Sequence, residues 1–304
     1  MPDDKQALQR GYIVDHYRIE KMMSGGGFSF VYLAYHIRSK TKVVIKEYFP
    51  HDLVIRLPGG RIKPKSPESV SPFSLGMKRF FSEGMALSHL KHPHIVNVSN
   101  FFRSNGTVFM VMDYEQGSDL RDFIRKSKGR LSEEFLMSVF PPVLEGLRAL
   151  HNAGFLHLDI KPANILMRDT GVPLLLDFGA VQRVKPGTRF KGVQTLTHGY
   201  ASPEQYLEGY MGPWSDIYSL GMTMRICITG KTPPSSLERK QKDGLVKVSK
   251  THVKKYGRGI LEAIDWATEL DHRHRPQNAD AMLKLLNDPD SVDPAGSESK
   301  SWFG

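Results

Sequence analysis

The chain has 304 residues, 40% of them hydrophobic and 10% aromatic, enough for one large two-lobed domain or two ordinary ones with a real core. Its net charge of +10 is scattered without the long Lys/Arg blocks of a nucleic-acid tail, a weak hint of acidic partners and mostly solvated surface. The single Cys227 excludes an intramolecular disulfide framework, Met1-Pro2-Asp3-Asp4-Lys5 lacks a signal-peptide core, and no apolar run approaches a membrane span, so the chain reads as cytoplasmic.

Residues 1–16 are polar and are expected to be frayed. Tyr17-Arg18-Ile19-Glu20, Phe30-Val31-Tyr32-Leu33-Ala34 and Lys42-Val43-Val44-Ile45-Lys46 read as strands of an antiparallel meander, with a glycine cluster between the first two. Residues 50–75, rich in proline and holding Gly59-Gly60, read as a loop with a small hairpin. A helix is expected from Met77 to Lys91, with Met77, Phe80, Phe81, Met85, Leu87 and Leu90 on its apolar side. Strands over 95–102 and 108–113 flank the turn Ser104-Asn105-Gly106. After Gly117 the pattern turns helical. Ser132-Glu133-Glu134 opens a helix to Asn152 in which Pro141-Pro142 should impose a kink. Short strands carry residues 157–164 and Leu174-Leu175-Leu176, and 214–286 is helical. The Ser-, Asp- and Pro-rich tail, 289–304, is expected to be disordered. The sum is an α+β chain: a small β-rich lobe over 17–115, joined near Glu115 to a larger helical lobe over 116–288.

The chemistry is concentrated in His157-Leu158-Asp159-Ile160-Lys161-Pro162-Ala163-Asn164 and, 18 positions after Asp159, Asp177-Phe178-Gly179. These segments put a base, a cation and two metal-binding oxygen side chains on closely linked loops. Phosphoryl transfer needs that set, because its catalysis is mostly positioning and charge neutralisation. A polar loop between two hairpins is the plainer reading of the same residues.

With these motifs the chain resembles the eukaryotic-type (Hanks-type) protein kinases, in a bacterial-like form with Leu158 where the family has Arg. Asp159, Lys161 and Asn164 follow the Asp-x-Lys-x-x-Asn spacing of the serine/threonine branch. The resemblance implies the two-lobed protein kinase fold, ATP as donor and Mg²⁺ as the metal, with Mn²⁺ as an alternative. It makes Asp159 the base or positioner of the acceptor hydroxyl and Lys161 the group that steadies the γ-phosphate. Asn164 and Asp177 become the metal ligands. Ser24, Gly25, Gly26, Gly27, Phe28, Ser29 and Val31 align with the glycine-rich loop over the phosphates, although the first and third family glycines are Ser24 and Ser29 here. Lys46 would hold the α- and β-phosphates and pair with Glu83, which follows 37 positions later, across the proline-rich insert. Met112 would be the gatekeeper, with the backbone of Asp113 and Glu115 at adenine and Asp119 at the ribose.

The same resemblance gives structural roles to Glu204 of Ser202-Pro203-Glu204, to its partner Arg275, and to Asp216 under the catalytic loop. Thr197, seven positions before Glu204, would contact Asp159 and Lys161. The implied activity is transfer of the γ-phosphate of ATP to Ser/Thr hydroxyls of proteins, including the chain itself. Nothing indicates nucleic acid, and the oligomeric state stays open. Two competitors share part of the pattern: a pseudokinase acting as a nucleotide-binding scaffold, and a small-molecule kinase of the aminoglycoside or choline type. His272 and His274 lack further ligands nearby and are not read as a metal site. Between Gly179 and Ser202 lies a segment carrying Arg183, Lys185, Thr188, Arg189, Lys191 and Thr195. The family's usual phosphate receiver is the Arg that Leu158 replaces, so activity should not require phosphate acting through that position.

Overall fold

The computed structural model describes residues 4–177, 181–183, 196–207 and 209–292, apart from the side chains of Asp4, Glu83 and Ala86. Phe178, Gly179, Thr188, Thr195 and the tail hydroxyls Ser297, Ser299 and Ser301 therefore lie outside the described residues, as does the carboxylate of Glu83. The chain divides into two units, Met1–Lys91 with Val96–Glu115 and His92–Ile95 with Gln116–Gly304.

The first unit is built from β1 (Ile13–Val14), β2 (Tyr17–Gly26), β3 (Ser29–His36), β4 (Thr41–Tyr48), β5 (Val54–Arg56), β6 (Ile62–Pro64), α1 (Pro67–Ser88), β7 (Val98–Ser104) and β8 (Thr107–Asp113). Six of the strands form one antiparallel sheet in the order β1-β2-β3-β4-β8-β7, and β5 and β6 pair as the small hairpin of the insert. Alternation sets the sheet's faces: Phe30, Tyr32 and Ala34 of β3 are buried while their neighbours are only partly so. Rings of Tyr17, Phe102 and Phe109 stack across the sheet at 5.5 and 4.9 Å between centroids.

Helix α1 starts at Pro67, ten residues before the expected Met77, and ends at Ser88 rather than Lys91. Ser66 sits at its N-cap in extended conformation and Pro67 fills the first helical position, where a missing N–H costs nothing. Its glycines are places of close approach: a Cβ on Gly76 would collide with the Tyr48 hydroxyl, and one on Gly84 with the Phe101 ring.

The segment before Tyr17, expected to fray, is held in place. Ala7 and Leu8 are buried, β1 pairs with β2, and the Leu8 N–H donates to the Tyr32 hydroxyl at 3.1 Å. That hydroxyl donates in turn to Glu47 Oε2 at 2.8 Å. Arg56 closes a fork on Glu47 at 3.1 and 2.7 Å and also donates to the carbonyls of Gln6 and Gly60, while its own N–H goes to the Gln6 side chain. Burial pushes the Glu47 carboxyl above its ordinary range even beside this guanidinium. Glu47 follows Lys46 directly, so this buried network fixes the strand that presents the lysine.

The second unit contains β9 (Gly117–Asp119), α2 (Leu120–Ser127), α3 (Glu133–Asn152), β10 (Phe155–Leu156), β11 (Ile165–Arg168), β12 (Pro173–Leu175), β13 (Gln182–Arg183), α4 (Pro203–Tyr206), α5 (Pro213–Thr229), α6 (Ser236–Gln241), α7 (Val248–Thr251), α8 (Arg258–Ala267) and α9 (Ala279–Asn287). Helix α3 continues through Pro141 and Pro142 as one element. Helix α5 is buried almost all round, and its thiol, Cys227, is pushed up by burial in apolar surroundings. Two small sheets, β12-β11-β9 and β10-β13, frame the loop of residues 157–164. Among the described residues no helix is long and apolar enough to cross a membrane.

Candidate active site

The loop after β10 turns on two residues in left-handed backbone conformation, Leu158 at φ 61° and, farther on, Asp177 at φ 61°. Such a φ costs a side chain of this kind on the order of 1–3 kcal/mol, so the surroundings must enforce it. For Leu158 they do. Asp216, fully buried on α5, accepts the Leu158 N–H at 2.7 Å, the His157 N–H at 2.8 Å and His151 Nε2 at 2.8 Å. Burial alone would raise the Asp216 carboxyl, but the His151 hydrogen bond, the nearby imidazoles and the His157 N–H together hold it below its ordinary value. The Leu158 carbonyl accepts Gln205 Nε2 at 2.9 Å, and its side chain packs with Leu156 and Met211.

His157 is a strut with no access to solvent. Its Nδ1 accepts the Asp159 N–H at 3.3 Å, which leaves Nε2 as the donor to the Leu176 carbonyl at 3.0 Å. The Leu176 N–H donates to the Asn164 carbonyl at 2.8 Å, so the residue before Asp177 is tied to the loop that carries Asn164.

The result is a compact polar cluster. Lys161 Nζ donates to Asp159 Oδ1 and Oδ2 at 2.9 and 2.7 Å and to Thr197 Oγ1 at 3.1 Å. The Thr197 hydroxyl donates to Asp159 Oδ1 at 2.7 Å. Asn164 Nδ2 donates to the Asp159 carbonyl and to Oδ2 at 2.8 and 3.0 Å. With its amide nitrogen committed to Asp159, Asn164 has its carbonyl oxygen left to offer. That oxygen and the Asp177 carboxylate are hard ligands of the kind a small divalent cation prefers.

Glu204 and Arg275 anchor the segment that carries Thr197. Arg275, 1% exposed, donates through Nη1 and Nη2 to the two Glu204 oxygens at 2.8 and 3.1 Å, through Nε to the Glu269 carbonyl and through Nη2 to the Leu270 carbonyl. Its guanidinium lies 4.7 Å from the Tyr218 ring centre. Burial would raise the Glu204 carboxyl, and Arg275 with Ser215 more than offsets it, so the net direction is down.

In the first unit Lys46 lies on β4 opposite Val31 and Met110 and is 4% exposed. Glycine segment 24–29 is a tight hairpin in which Ser24 pairs with Val31, Gly25 with Phe30 and Gly26 with Ser29. Its tip is pinned: the Phe49 and His51 N–H groups donate to the carbonyls of Phe28 and Gly27 at 2.8 and 2.9 Å. Met112 is buried at the end of β8, and the Asp113 N–H is already given to the Asn97 carbonyl at 3.0 Å. Glu115 ends the first unit. Asp119 belongs to the second and caps α2, accepting the Arg121 N–H at 3.0 Å and its guanidinium at 3.2 and 2.6 Å.

Two residues of the cluster's support were not legible in the sequence. His151 is the penultimate residue of α3 with nothing local to mark it. Gln205 has a signal only in hindsight, the polar residue after Ser202-Pro203-Glu204. Its Oε1 accepts from the Ser202 N–H at 3.0 Å while its Nε2 holds Leu158, so one buried amide links the catalytic loop to the Thr197 segment. Gln205→Met keeps the volume but strands a buried carbonyl. That costs about 1–3 kcal/mol of folded-state stability, so the melting midpoint is expected to drop by a few degrees and kcat to fall as the Leu158 carbonyl loses its anchor, with the KM for nucleotide moving little. Steady-state kinetics beside a thermal melt will show it.

The comparisons agree with this architecture. The family model "Protein kinase domain" matches residues 17–289, and the chain belongs to that family. Among its relatives, serine/threonine-protein kinase D of Synechocystis is 29% identical over 286 residues, 90% of this chain and 52% of that protein. Serine/threonine-protein kinase PknA of Mycobacterium tuberculosis is 30% identical over 245 residues, 78% of this chain and 51% of that protein. The chain thus spans about half the length of the curated relatives it matches. A solved structure described as the apo form of PpkA-294 superposes with a TM-score of 0.79 at 29% identity, covering 92% of this chain and 99% of that one.

Proposed function

We propose that the chain is a protein serine/threonine kinase that transfers the γ-phosphate of ATP to Ser/Thr hydroxyls of proteins, itself included. The observation that carries this is the Asp159–Lys161–Thr197–Asn164 cluster, in which a carboxylate, a cation and a hydroxyl meet within 3.1 Å. Asp159 would receive the acceptor's proton at Oδ1 or Oδ2 as the hydroxyl attacks the γ-phosphorus, the bond to the β–γ bridging oxygen breaks and ADP leaves. Lys161, held against it, would neutralise the transferred group. A divalent cation on Asn164 and Asp177 supplies the remaining charge when bound; Mg²⁺ is our reading, because both ligands are hard oxygens.

On the nucleotide side we assign Lys46, with Glu83 as its partner, to the α- and β-phosphates. The hairpin of Ser24, Gly25, Gly26, Gly27, Phe28, Ser29 and Val31 is assigned to cover them. Met112, Asp113 and Glu115 are assigned to adenine and Asp119 to the ribose. For Asp119 this means sharing a carboxylate already engaged by Arg121. The pseudokinase alternative is disfavoured because every chemical role has a residue of the right type. A reducing, cytoplasmic setting is the reading that the buried free thiol of Cys227 supports.

The test is incubation of purified protein with γ-labelled ATP and a generic basic protein acceptor, with Mg²⁺, with Mn²⁺ and with EDTA. Label on Ser or Thr that EDTA abolishes is the expected result. Nucleotide binding without transfer would support the scaffold reading instead. The apolar packing of Leu158 with Met211 predicts a second outcome. A Thr188→Ala/Thr195→Ala variant should keep most of its activity, measured after phosphatase treatment of the parent; loss of transfer in a folded variant would contradict it.

A further inference from the structure

The positive charge, scattered as it looks by composition, is concentrated on one stretch. From Ser236 to Arg258 there are eight Lys and Arg residues against the two carboxylates of Glu238 and Asp243, a net +6 of the chain's +10. The segment is not a loose tail. Asp265 accepts the N–H groups of Val248 and Ser249 at 2.8 and 3.0 Å, Arg225 Nη2 donates to the Val246 carbonyl at 2.7 Å, and the Tyr256 hydroxyl donates to the Leu131 carbonyl at 2.8 Å.

The nearby carboxylates are spoken for. Asp243 takes the buried Arg239, Glu269 takes Lys247, and Glu262 and Asp290 take Arg258. Among the described residues Lys240, Lys242, Lys250, Lys254 and Lys255 have no carboxylate in ion-pair range, and all five are exposed. Val246 and Val253, 57% and 61% exposed, stand among them. Five like charges on a pinned scaffold repel one another, and an anionic partner relieves that repulsion.

We infer that this face, from α6 to the start of α8, is a docking surface for an acidic segment of a partner protein. Its chemistry selects among anions. The unneutralised cations are all lysines, point charges suited to separate carboxylates rather than to forked readout of phosphate or guanine. Residues 236–258 hold no exposed aromatic to stack on bases, and helices this short carry no broad apolar face for a bilayer. Position favours a substrate. Helix α6 is stitched to the segment after Thr197: Ser236 Oγ donates to the Ala201 carbonyl at 2.8 Å, and His198 approaches Glu238 at 3.3 Å. An acidic stretch docked here would raise the effective concentration of its own Ser/Thr near that segment. Naming the partner a substrate rests on the transferase reading; the docking itself does not.

The experiment compares the full chain with Lys250→Glu/Lys254→Glu/Lys255→Glu, whose residues lie outside the catalytic cluster, after confirming equal melting midpoints. Binding of a labelled poly-glutamate peptide is measured without nucleotide at two salt concentrations. KM and kcat are then measured for one Ser-containing acceptor peptide with and without a glutamate tail. The expected result is binding that weakens with salt and drops about tenfold or more in the variant, with KM rising for the tailed acceptor alone and kcat unchanged. Absence of peptide binding, or equal binding by the variant, overturns the inference. Tighter binding to phosphatidylglycerol vesicles or to an oligonucleotide overturns it in favour of a membrane or nucleic acid. Peptide binding without any phosphate transfer leaves the docking surface standing and removes the kinase reading.

Discussion

Asp159→Asn is expected to lower kcat roughly 10²–10⁴-fold while leaving nucleotide binding nearly unchanged, because a general base contributes about that much and its amide isostere keeps the shape. The geometry explains why the loss should be large yet local. Asp159 accepts from Lys161, Thr197 and Asn164, so its charge also fixes the ammonium beside it. An amide cannot take the acceptor's proton, and it offers Lys161 one oxygen instead of two. The loop's backbone is set elsewhere, by Asp216 and His157, and stays put. Transfer assayed with saturating ATP, beside a fluorescent-nucleotide titration, separates chemistry from binding. A variant with near-parental kcat would remove Asp159 from the reaction.

Arg275→Met is expected to destabilise the second unit by about 3–5 kcal/mol, since it leaves the Glu204 carboxylate buried without its partner. Glu204→Leu/Arg275→Met, which removes both charges, should recover much of that loss; denaturant midpoints followed by Trp fluorescence report both. Equal loss in single and double variants would mean that packing of Arg275 on Tyr218, not charge, holds the segment. The pH sign follows from the depressed carboxyls. For Glu204 and Asp216, held below their unfolded values, the stabilising contribution is complete above the unfolded pKa, near 4.5 and 3.8. It is lost as pH falls through the lower folded-state values. Acid unfolding of the parent should therefore steepen below about pH 4, and the double variant should lack the Glu204 share of it.

What could be read from sequence was what is local. Asp159, Lys161 and Asn164 span six positions, so residue type and spacing alone define their chemistry, and Lys46 ends a strand whose alternation is plain. Supports closed over long separations left no local trace: Asp216, Glu204 and Arg275 were named only through the family resemblance, and Gln205 and His151 not at all. Asp216 is 58 positions from the Leu158 N–H it accepts, and Gln205 is 47 from the carbonyl it holds. The start of α1 was hidden for a different reason. Ser66-Pro67 is a valid helix opening, but Pro72 and Gly76 punctuate the next turns as a loop would, and only the packing of Tyr48 over Gly76 makes sense of the glycine. The segment before Tyr17 looked frayed because its anchors, Leu8 on Tyr32 and Gln6 on Arg56, are single contacts rather than a periodic face.

Those anchors separate two boundaries that are easily taken as one. The family match begins at Tyr17. A minimal domain cut there would discard Gln6 and Leu8, and with them the acceptors of the Arg56 backbone N–H and Nε and the donor to the Tyr32 hydroxyl. The side chains left short of partners are the two that hold Glu47, next in sequence to Lys46. For this chain the span that the family model matches is smaller than the span that holds Glu47 in place.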